Sequence, residues 1–295
     1  MNGSATGHPP GPTWFTSALA QPGTPGSIVV DGATIVYRRW GQGAAQSVVL
    51  VHGGAAHLNW WDHIAPLLAV GREVIAFDLS GHGDSGRRDA YSVAQWAAEA
   101  LSVAAIASSG APILIGHSLG GVVSLHAAMA EGARLGGIVV VDSPLLHFTP
   151  EEDAAVDRLA FGPPRLYPTR EAILARFRPI PDQPTIDYIT EHIAAASARP
   201  VDGGWSWKFD SKIFDRAPEL PSLAPLACRS ALMRGENGMV APDMAADIFR
   251  QLGARTAMIE VPDAGHHIML DQPVALVTGL RAVLAAWQQD GVVSA

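Results

Sequence analysis

Residues 116–120, Gly-His-Ser-Leu-Gly, place a serine between two glycines, after an apolar run and before a helical pattern. A serine on a sharp strand-to-helix turn is held in a strained backbone conformation that exposes its hydroxyl group. Side chains at Gly116 and Gly120 would collide across such a turn. The helix behind the turn directs N–H groups toward developing negative charge. The spacing therefore predicts that Ser118 is a nucleophile.

A second glycine-rich turn, His-Gly-Gly at residues 52–54, follows an earlier apolar run. Backbone N–H groups at such a turn can bind an oxyanion together with the N–H of the residue after the nucleophile. We expect Leu119 and Gly54 to supply the two donors, with Ala55 as the alternative to Gly54. His52 is expected to hold this turn through hydrogen bonds.

Two adjacent histidines, His266 and His267, lie in the segment PDAGHHIMLDQP before the last helical pattern. A histidine in that loop can take the proton of a serine nucleophile. Both are candidates for the base. The sequence contains no H-x-x-x-H or H-E-x-x-H spacing on a helical pattern, so it predicts no metal site.

Apolar runs typical of buried strands alternate with helical patterns over most of the chain. This alternation predicts an α/β fold with a mostly parallel, doubly wound sheet. Residues 28–144 and 223–295 are assigned to this core, with a hairpin at its start. Residues 145–222 are predicted to form a helical insertion over the sheet edge where ligands bind in such folds. Residues 1–27, rich in Gly, Pro, Ser and Thr, are predicted to form a flexible tail.

The composition and the net charge indicate which classes of partner the chain is expected to bind. The 295 residues are 48% apolar and carry a net charge of −8, which argues against nucleic acid and anionic membrane surfaces. The single cysteine, Cys228, permits no internal disulfide, and no signal-peptide pattern or membrane-spanning run is present. We therefore expect a cytoplasmic protein whose partners are small molecules and, at most, a second copy of the chain in a homodimer.

Four motifs occur in a characteristic order: VHGG (51–54), DLSGHGDS (78–85), GHSLGG (116–121) and GHHIMLDQP (265–273). In these motifs the chain resembles the α/β-hydrolase fold superfamily, as a serine hydrolase or carboxylesterase-like member. The resemblance implies that Ser118 is the nucleophile, that His266, directly after Gly265, is the base, and that the insertion is the cap of the family. A serine at this position disfavours haloalkane dehalogenases and epoxide hydrolases, which carry aspartate there.

The catalytic acid departs from the common family pattern. That pattern places an aspartate three residues after the glycine that ends the penultimate strand, but here Gly235 is followed at that offset by Gly238. Asp142 ends the strand after the one that leads to Ser118, and the ends of neighbouring parallel strands lie about 5 Å apart. Asp142 is therefore the preferred acid. Glu236 and Asp243 remain alternatives.

The expected reaction is hydrolysis of a carboxylic ester, with thioesters and lactones as related substrates, through an acyl-enzyme and without a metal or organic cofactor. The alternatives are C–C bond hydrolysis, perhydrolysis, hydroxynitrile lyase or cofactor-free oxygenase chemistry on the same triad, and a non-catalytic binding protein. The predicted substrate pocket contains Trp60, His117, Tyr167, Trp205 and Trp207. The aromatic residues of the insertion could instead form only its own small core.

Overall fold

The computed structural model describes residues 11–43, 45–108, 110–145, 165–215, 223–253 and 256–293. Its main sheet has eight strands in the order β1-β2-β4-β3-β5-β6-β9-β10. The pairs β1–β2 and β2–β4 are antiparallel, and the remaining pairs are parallel. The described strands are β1 (Thr24–Val30), β2 (Ala33–Trp40), β3 (Ala45–Val51), β4 (Arg72–Phe77), β5 (Ile113–His117), β6 (Gly137–Val141), β7 (Ala198–Val201), β8 (Gly204–Trp207), β9 (Arg229–Gly235) and β10 (Thr256–Val261). The predicted fold class is confirmed.

Helices cover both faces of this sheet. The core on one side contains residues of α1, α2, α8 and α9, and the core on the other contains residues of α3, α4 and α7. The described helices are α1 (Thr13–Leu19), α2 (Ala65–Leu68), α3 (Val93–Ala105), α4 (Leu119–Glu131), α5 (Arg170–Leu174), α6 (Asp187–Ser197), α7 (Pro242–Leu252), α8 (Ile268–Asp271) and α9 (Pro273–Val293). Strands β4, β5 and β6 are buried along their whole length because both of their faces are covered. None of the helices described is both long and apolar enough to cross a membrane.

The N-terminal segment differs from the prediction. Within residues 11–27, assigned above to a flexible tail, the chain forms α1 and the beginning of β1. Phe15 and Ala18 lie one helical turn apart, so both are buried on the same face, and the ring of Phe15 lies 4.8 Å from that of Tyr188. Pro25 belongs to β1 because an edge strand tolerates a residue without an N–H. Residues 1–10 lie outside the described residues.

The insertion contains an element that the sequence analysis did not predict. The expected helices appear as α5 and α6, but β7 and β8 form an antiparallel hairpin that includes Trp205 and Trp207. Its two-residue turn is Asp202-Gly203, a pair typical of tight hairpins. The boundaries of the cap, residues 145–222, stay a prediction, since residues 146–164 and 216–222 lie outside the described residues.

Candidate active site

Ser118 lies on the turn between β5 and α4, with a strained backbone conformation of φ 53° and ψ −121°. A Cβ on Gly116 would collide with the carbonyl oxygen of Gly120, and a Cβ on Gly120 would collide with that of Val51. These two collisions explain why glycine is required at both positions. The turn is anchored by a 3.0 Å hydrogen bond from the N–H of Ser118 to the carbonyl of Val141. The serine is thus positioned by β3, β5 and β6 together.

The two predicted oxyanion donors lie beside each other. A Cβ placed on Gly54 would lie 3.8 Å from Cδ2 of Leu119. Within the part of the chain that the structure describes, neither the N–H of Gly54 nor that of Leu119 donates a hydrogen bond. Leu119 is the first residue of α4, where N–H groups have no partner within the helix. Both donors are therefore available to a ligand.

His52 holds the glycine-rich turn, as the sequence predicts. Its Nδ1–H donates to the carbonyl of Gly53 at 2.7 Å, and its Nε2 accepts from the N–H of Leu79 at 3.1 Å. Burial lowers the pKa of His52 to about 4, so the ring is neutral at pH 7 and can make both bonds at once. This histidine fixes the loop that carries Gly54.

His266 and Asp142 meet although 124 residues separate them in the sequence. The Nδ1 of His266 donates to Oδ2 of Asp142 at 2.7 Å, and both side chains are buried. Because a carboxylate only accepts, Nδ1 carries the hydrogen and Nε2 keeps its lone pair. This is the tautomer that a base needs in order to take a proton from a serine.

The Asp142 carboxylate occupies the space that the usual family acid would need. Its two oxygens accept the N–H of Gly235 at 3.0 Å and that of Met239 at 2.8 Å. A Cβ on Gly238 would collide with this carboxylate. A side chain at position 238 and the observed Asp142 are therefore mutually exclusive.

The two alternative acids lie elsewhere. The carboxylate of Glu236 is exposed and accepts the N–H of Asp263 at 2.8 Å. Asp243 is exposed in the first turn of α7 and accepts the N–H of Met244 at 2.9 Å. Among the described residues, no hydrogen bond joins Glu236 or Asp243 to His266.

Arg234 is a supporting residue that the sequence analysis missed. Its buried guanidinium donates to the carbonyls of Val240 at 2.7 Å and Glu236 at 3.0 Å, and pairs with Glu260. These bonds hold residues 236–240, the loop that supplies the N–H of Met239 to the Asp142 carboxylate. The signal in the sequence that could have identified Arg234 is a charged residue at the end of an apolar run, strand β9.

Gln183 and Asp271 hold the loop that contains His266, and the sequence analysis missed them too. The Oε1 of Gln183 accepts the N–H of His267 at 2.8 Å, while its Nε2 donates to Asp271 at 2.8 Å. The same Asp271 carboxylate accepts the N–H of Gly265 at 2.6 Å. Because Gln183 lies in the segment predicted to form the insertion, these bonds join that segment directly to the histidine loop.

Three buried histidines come together next to Ser118. One ring nitrogen from each of His117, His266 and His267 lies within 4.8 Å of one from the others. His117, predicted above to line the pocket, is buried, and its Nε2 donates to the carbonyl of His266 at 2.9 Å. His117 comes from the serine turn, whereas His266 and His267 come from the loop before α8.

Three other predicted pocket residues, Tyr167, Trp207 and Trp60, form a chain of ring contacts with Phe177 that reaches His267. The centroid distances are 6.1 Å for Tyr167 and Trp207, 5.9 Å for Trp207 and Phe177, 6.3 Å for Phe177 and Trp60, and 5.3 Å for Trp60 and His267. The backbone of Trp205 exchanges two hydrogen bonds with that of Tyr167, at 2.8 and 2.9 Å. Their part in binding substrate stays a prediction.

Known proteins are similar to this chain over most of its length. The esterase Rv0045c of Mycobacterium tuberculosis is 29% identical over 266 residues, which cover 86% of this chain and 88% of that protein. A solved structure of it, reported with its transition metal inhibition, has a TM-score of 0.69 at 24% identity and covers 92% of this chain and 97% of that one. Lipase LipV of the same organism is 24% identical over 264 residues, 84% of this chain and 96% of that protein.

A further solved structure, E-2-(acetamidomethylene)succinate hydrolase, has a TM-score of 0.73 at 22% identity and covers 87% of this chain and 97% of that one. At such identities the two solved structures show the fold. A family model described as the alpha/beta hydrolase family matches residues 48–279, which include Ser118, Asp142 and His266. The chain belongs to the alpha/beta hydrolase family.

Proposed function

We propose that this protein is a serine hydrolase that cleaves a carboxylic ester of a small apolar substrate through an acyl-enzyme. The observation that carries the proposal is the buried pair of His266 and Asp142, whose imidazole ring packs 4.7 Å from the ring of His117, the residue before Ser118. Strain at Ser118 and two free N–H groups beside it complete the parts that acyl transfer needs. Two relatives that match most of the chain are named an esterase and a lipase.

Each group has a definite task in this reaction. The Oγ of Ser118 attacks the ester carbonyl while Nε2 of His266 takes its proton, and the Asp142 carboxylate stabilises the imidazolium that results. The N–H groups of Leu119 and Gly54 stabilise the oxyanion. The alcohol then leaves with the proton from His266. A water molecule attacks the acyl-serine by the same route and releases the acid.

Covalent labelling tests the proposal directly. A fluorophosphonate should label one site, which peptide mass spectrometry assigns to Ser118, because only an activated serine reacts with this reagent. Ser118→Ala should abolish the label. Ser102→Ala should retain it, because Ser102 lies on α3 and donates to the carbonyl of Ala98 at 2.8 Å. A folded wild-type protein that takes no label would instead be a binding protein of this fold.

The aromatic chain leads to a prediction about the substrate. Trp207→Ala should change the preference between butyrate and octanoate aryl esters by about tenfold or more, since one methylene in an apolar pocket is worth about 10–200-fold in selectivity. The rate at saturating butyrate ester should change little, because Trp207 lies two ring contacts away from Trp60. Steady-state kinetics over a series of chain lengths measures this. A lower thermal midpoint with unchanged selectivity would show that Trp207 only packs the insertion.

A further inference from the structure

The turn that contains Gly54 has a conformation that its own residues do not favour. This turn, which we call the oxyanion turn, runs from Gly53 to Ala56 and is closed by a 3.3 Å hydrogen bond from the N–H of Ala56 to the carbonyl of Gly53. Ala55 lies inside it with a φ of 56°, in the left-handed region that favours glycine or asparagine. An alanine side chain cannot hydrogen-bond to stabilise that conformation, so contacts from outside the turn must maintain it.

Two of these contacts come from the core of the fold. His52, directly before the turn, binds the backbone of Leu79 as described above. On the other side of the turn, the N–H of Leu58 donates to Oδ1 of the buried Asp78 at 2.6 Å. The core therefore holds the chain on both sides of the oxyanion turn.

A third contact comes from the segment predicted to form the insertion. His57 directly follows the oxyanion turn, and its Nε2 lies 2.8 Å from Oγ of Ser197. Ser197 is the last residue of α6, and both side chains are buried. The residue next to the oxyanion turn is thus bonded to a helix of the insertion.

The neighbours of His57 fix the direction of this bond. The Nδ2 of Asn59 donates to Asp62 at 2.9 Å, so its amide oxygen faces Nδ1 of His57 at 3.2 Å. An amide oxygen only accepts, and therefore Nδ1 carries the hydrogen. Burial lowers the pKa of His57 to about 3, so the ring is neutral at pH 7 and Nε2 keeps a lone pair. Nε2 accepts from the hydroxyl of Ser197, which also lies 2.7 Å from the carbonyl of Ile193.

Helix α6 contacts the same network at a second point. The Asp62 carboxylate that orients Asn59 also lies 3.0 Å from Nε2 of His192, which belongs to α6. On its other oxygen the carboxylate accepts from Arg38 at 3.2 Å. The orientation of α6 and that of the chain after the oxyanion turn are therefore linked through two separate bonds.

We infer that Ser197 is a positioning residue for the reaction, which acts through His57 to hold the oxyanion turn where the N–H of Gly54 meets the oxyanion. The insertion then contributes to the rate of the reaction as well as to the choice of substrate. The effect on the rate rests on the proposed function, whereas the ordering of the turn does not. The two are therefore measured separately.

The rate is measured with an aryl ester and with the corresponding thionoester. Ser197→Ala should lower kcat for the ester about tenfold with little change in KM, less than the loss of about a hundredfold or more expected when an oxyanion donor itself is removed. The thionoester should be affected much less, because its developing charge lies on sulfur, a poor acceptor of N–H bonds. The ratio of the two rates should therefore fall. A variant that only folds less completely would lose both rates equally and keep the ratio.

Three further variants make the comparison specific. Ser197→Thr keeps a hydroxyl and should recover most of the ratio. His57→Phe keeps a buried ring without its two hydrogen bonds and should lower the ratio, and adding Ser197→Ala should not lower it further because both changes break one bond. His57→Phe also provides the test should Ser197→Ala not fold. Thr190→Ala is the matched control, since Thr190 lies on the same helix and donates to the carbonyl of Ile186 at 3.2 Å.

Hydrogen–deuterium exchange measures the ordering of the oxyanion turn without catalysis. The amides of Ala56 and Leu58 should exchange faster in Ser197→Ala than in the wild type, while those of β5 should not change. The inference is refuted if both the exchange and the ratio of rates in Ser197→Ala match those of the wild type. Faster exchange with an unchanged ratio would refute the role in catalysis alone. A wild type that cleaves no ester would refute the proposed function, and the exchange would still decide whether Ser197 holds the turn.

Discussion

Replacement of Ser118 by alanine is expected to lower kcat/KM for an activated aryl ester by about a million-fold, and His266→Ala by a similar factor. The Oγ of Ser118 is a weak nucleophile unless Nε2 of His266 removes its proton, so loss of either group removes the same reaction. The double variant should therefore be no slower than either single variant. The residual rate would come from the oxyanion donors Leu119 and Gly54, which both variants keep.

The measurement is the initial rate of p-nitrophenyl ester hydrolysis, with circular dichroism to show that each variant is folded. His267→Gln is the matched control for His266→Ala. The Nε2 of His267 donates to the carbonyl of Ile180. Loss of this imidazole should therefore lower kcat/KM by at most about a hundredfold, the effect of a small misplacement of His266. The assignment of the base is wrong if His267→Gln is inactive and His266→Ala is not. Nearly full activity in folded Ser118→Ala would exclude the serine mechanism.

The second large effect concerns the acid. Asp142→Asn should lower kcat by about ten-thousandfold, because an amide favours the wrong tautomer of His266 and cannot stabilise an imidazolium. Glu236→Gln is the matched control, since Glu236 accepts the N–H of Asp263 and lies away from His266. It should retain activity close to that of the wild type. The opposite ranking of these two variants would show that Asp142 is not the acid.

The collision between a side chain at position 238 and the Asp142 carboxylate gives a further test of Asp142 as the acid. Gly238→Asp alone should lower stability, because the new side chain would meet the Asp142 carboxylate. Asp142→Ala with Gly238→Asp removes this collision and returns a carboxylate to the usual family position. Gly238 does not have the left-handed backbone conformation that an aspartate would resist. We expect the double variant to recover at least about tenfold in kcat over Asp142→Ala, as expected if a carboxylate can orient His266 from either strand end.

Local patterns in the sequence were enough to predict much of the sheet and the position of the serine. Each depends on neighbouring residues: alternating apolar runs predict strands, and glycines two positions on either side of Ser118 predict a sharp turn. Local signals can also be overlooked or mislead. The Asp202-Gly203 turn was missed, and Pro25 and Gly26 resembled a flexible tail because an edge strand tolerates residues that a central strand does not.

The contact between Asp142 and His266 and the grouping of the three histidines depend on which loops meet at the sheet edge, and no spacing in the sequence encodes that. β6 lies between β5 and β9, so Asp142 reaches the space beside Gly238 and accepts the N–H groups of Gly235 and Met239. From the sequence, Asp142, Glu236 and Asp243 were all candidates for the acid. Of these three, only Asp142 is hydrogen-bonded to His266 among the described residues. Its catalytic role stays a prediction. The three histidines meet for the same reason. The parallel strands end at one edge of the sheet, so residues that are distant in the chain can come into contact there, and only the tertiary structure decides which of them do.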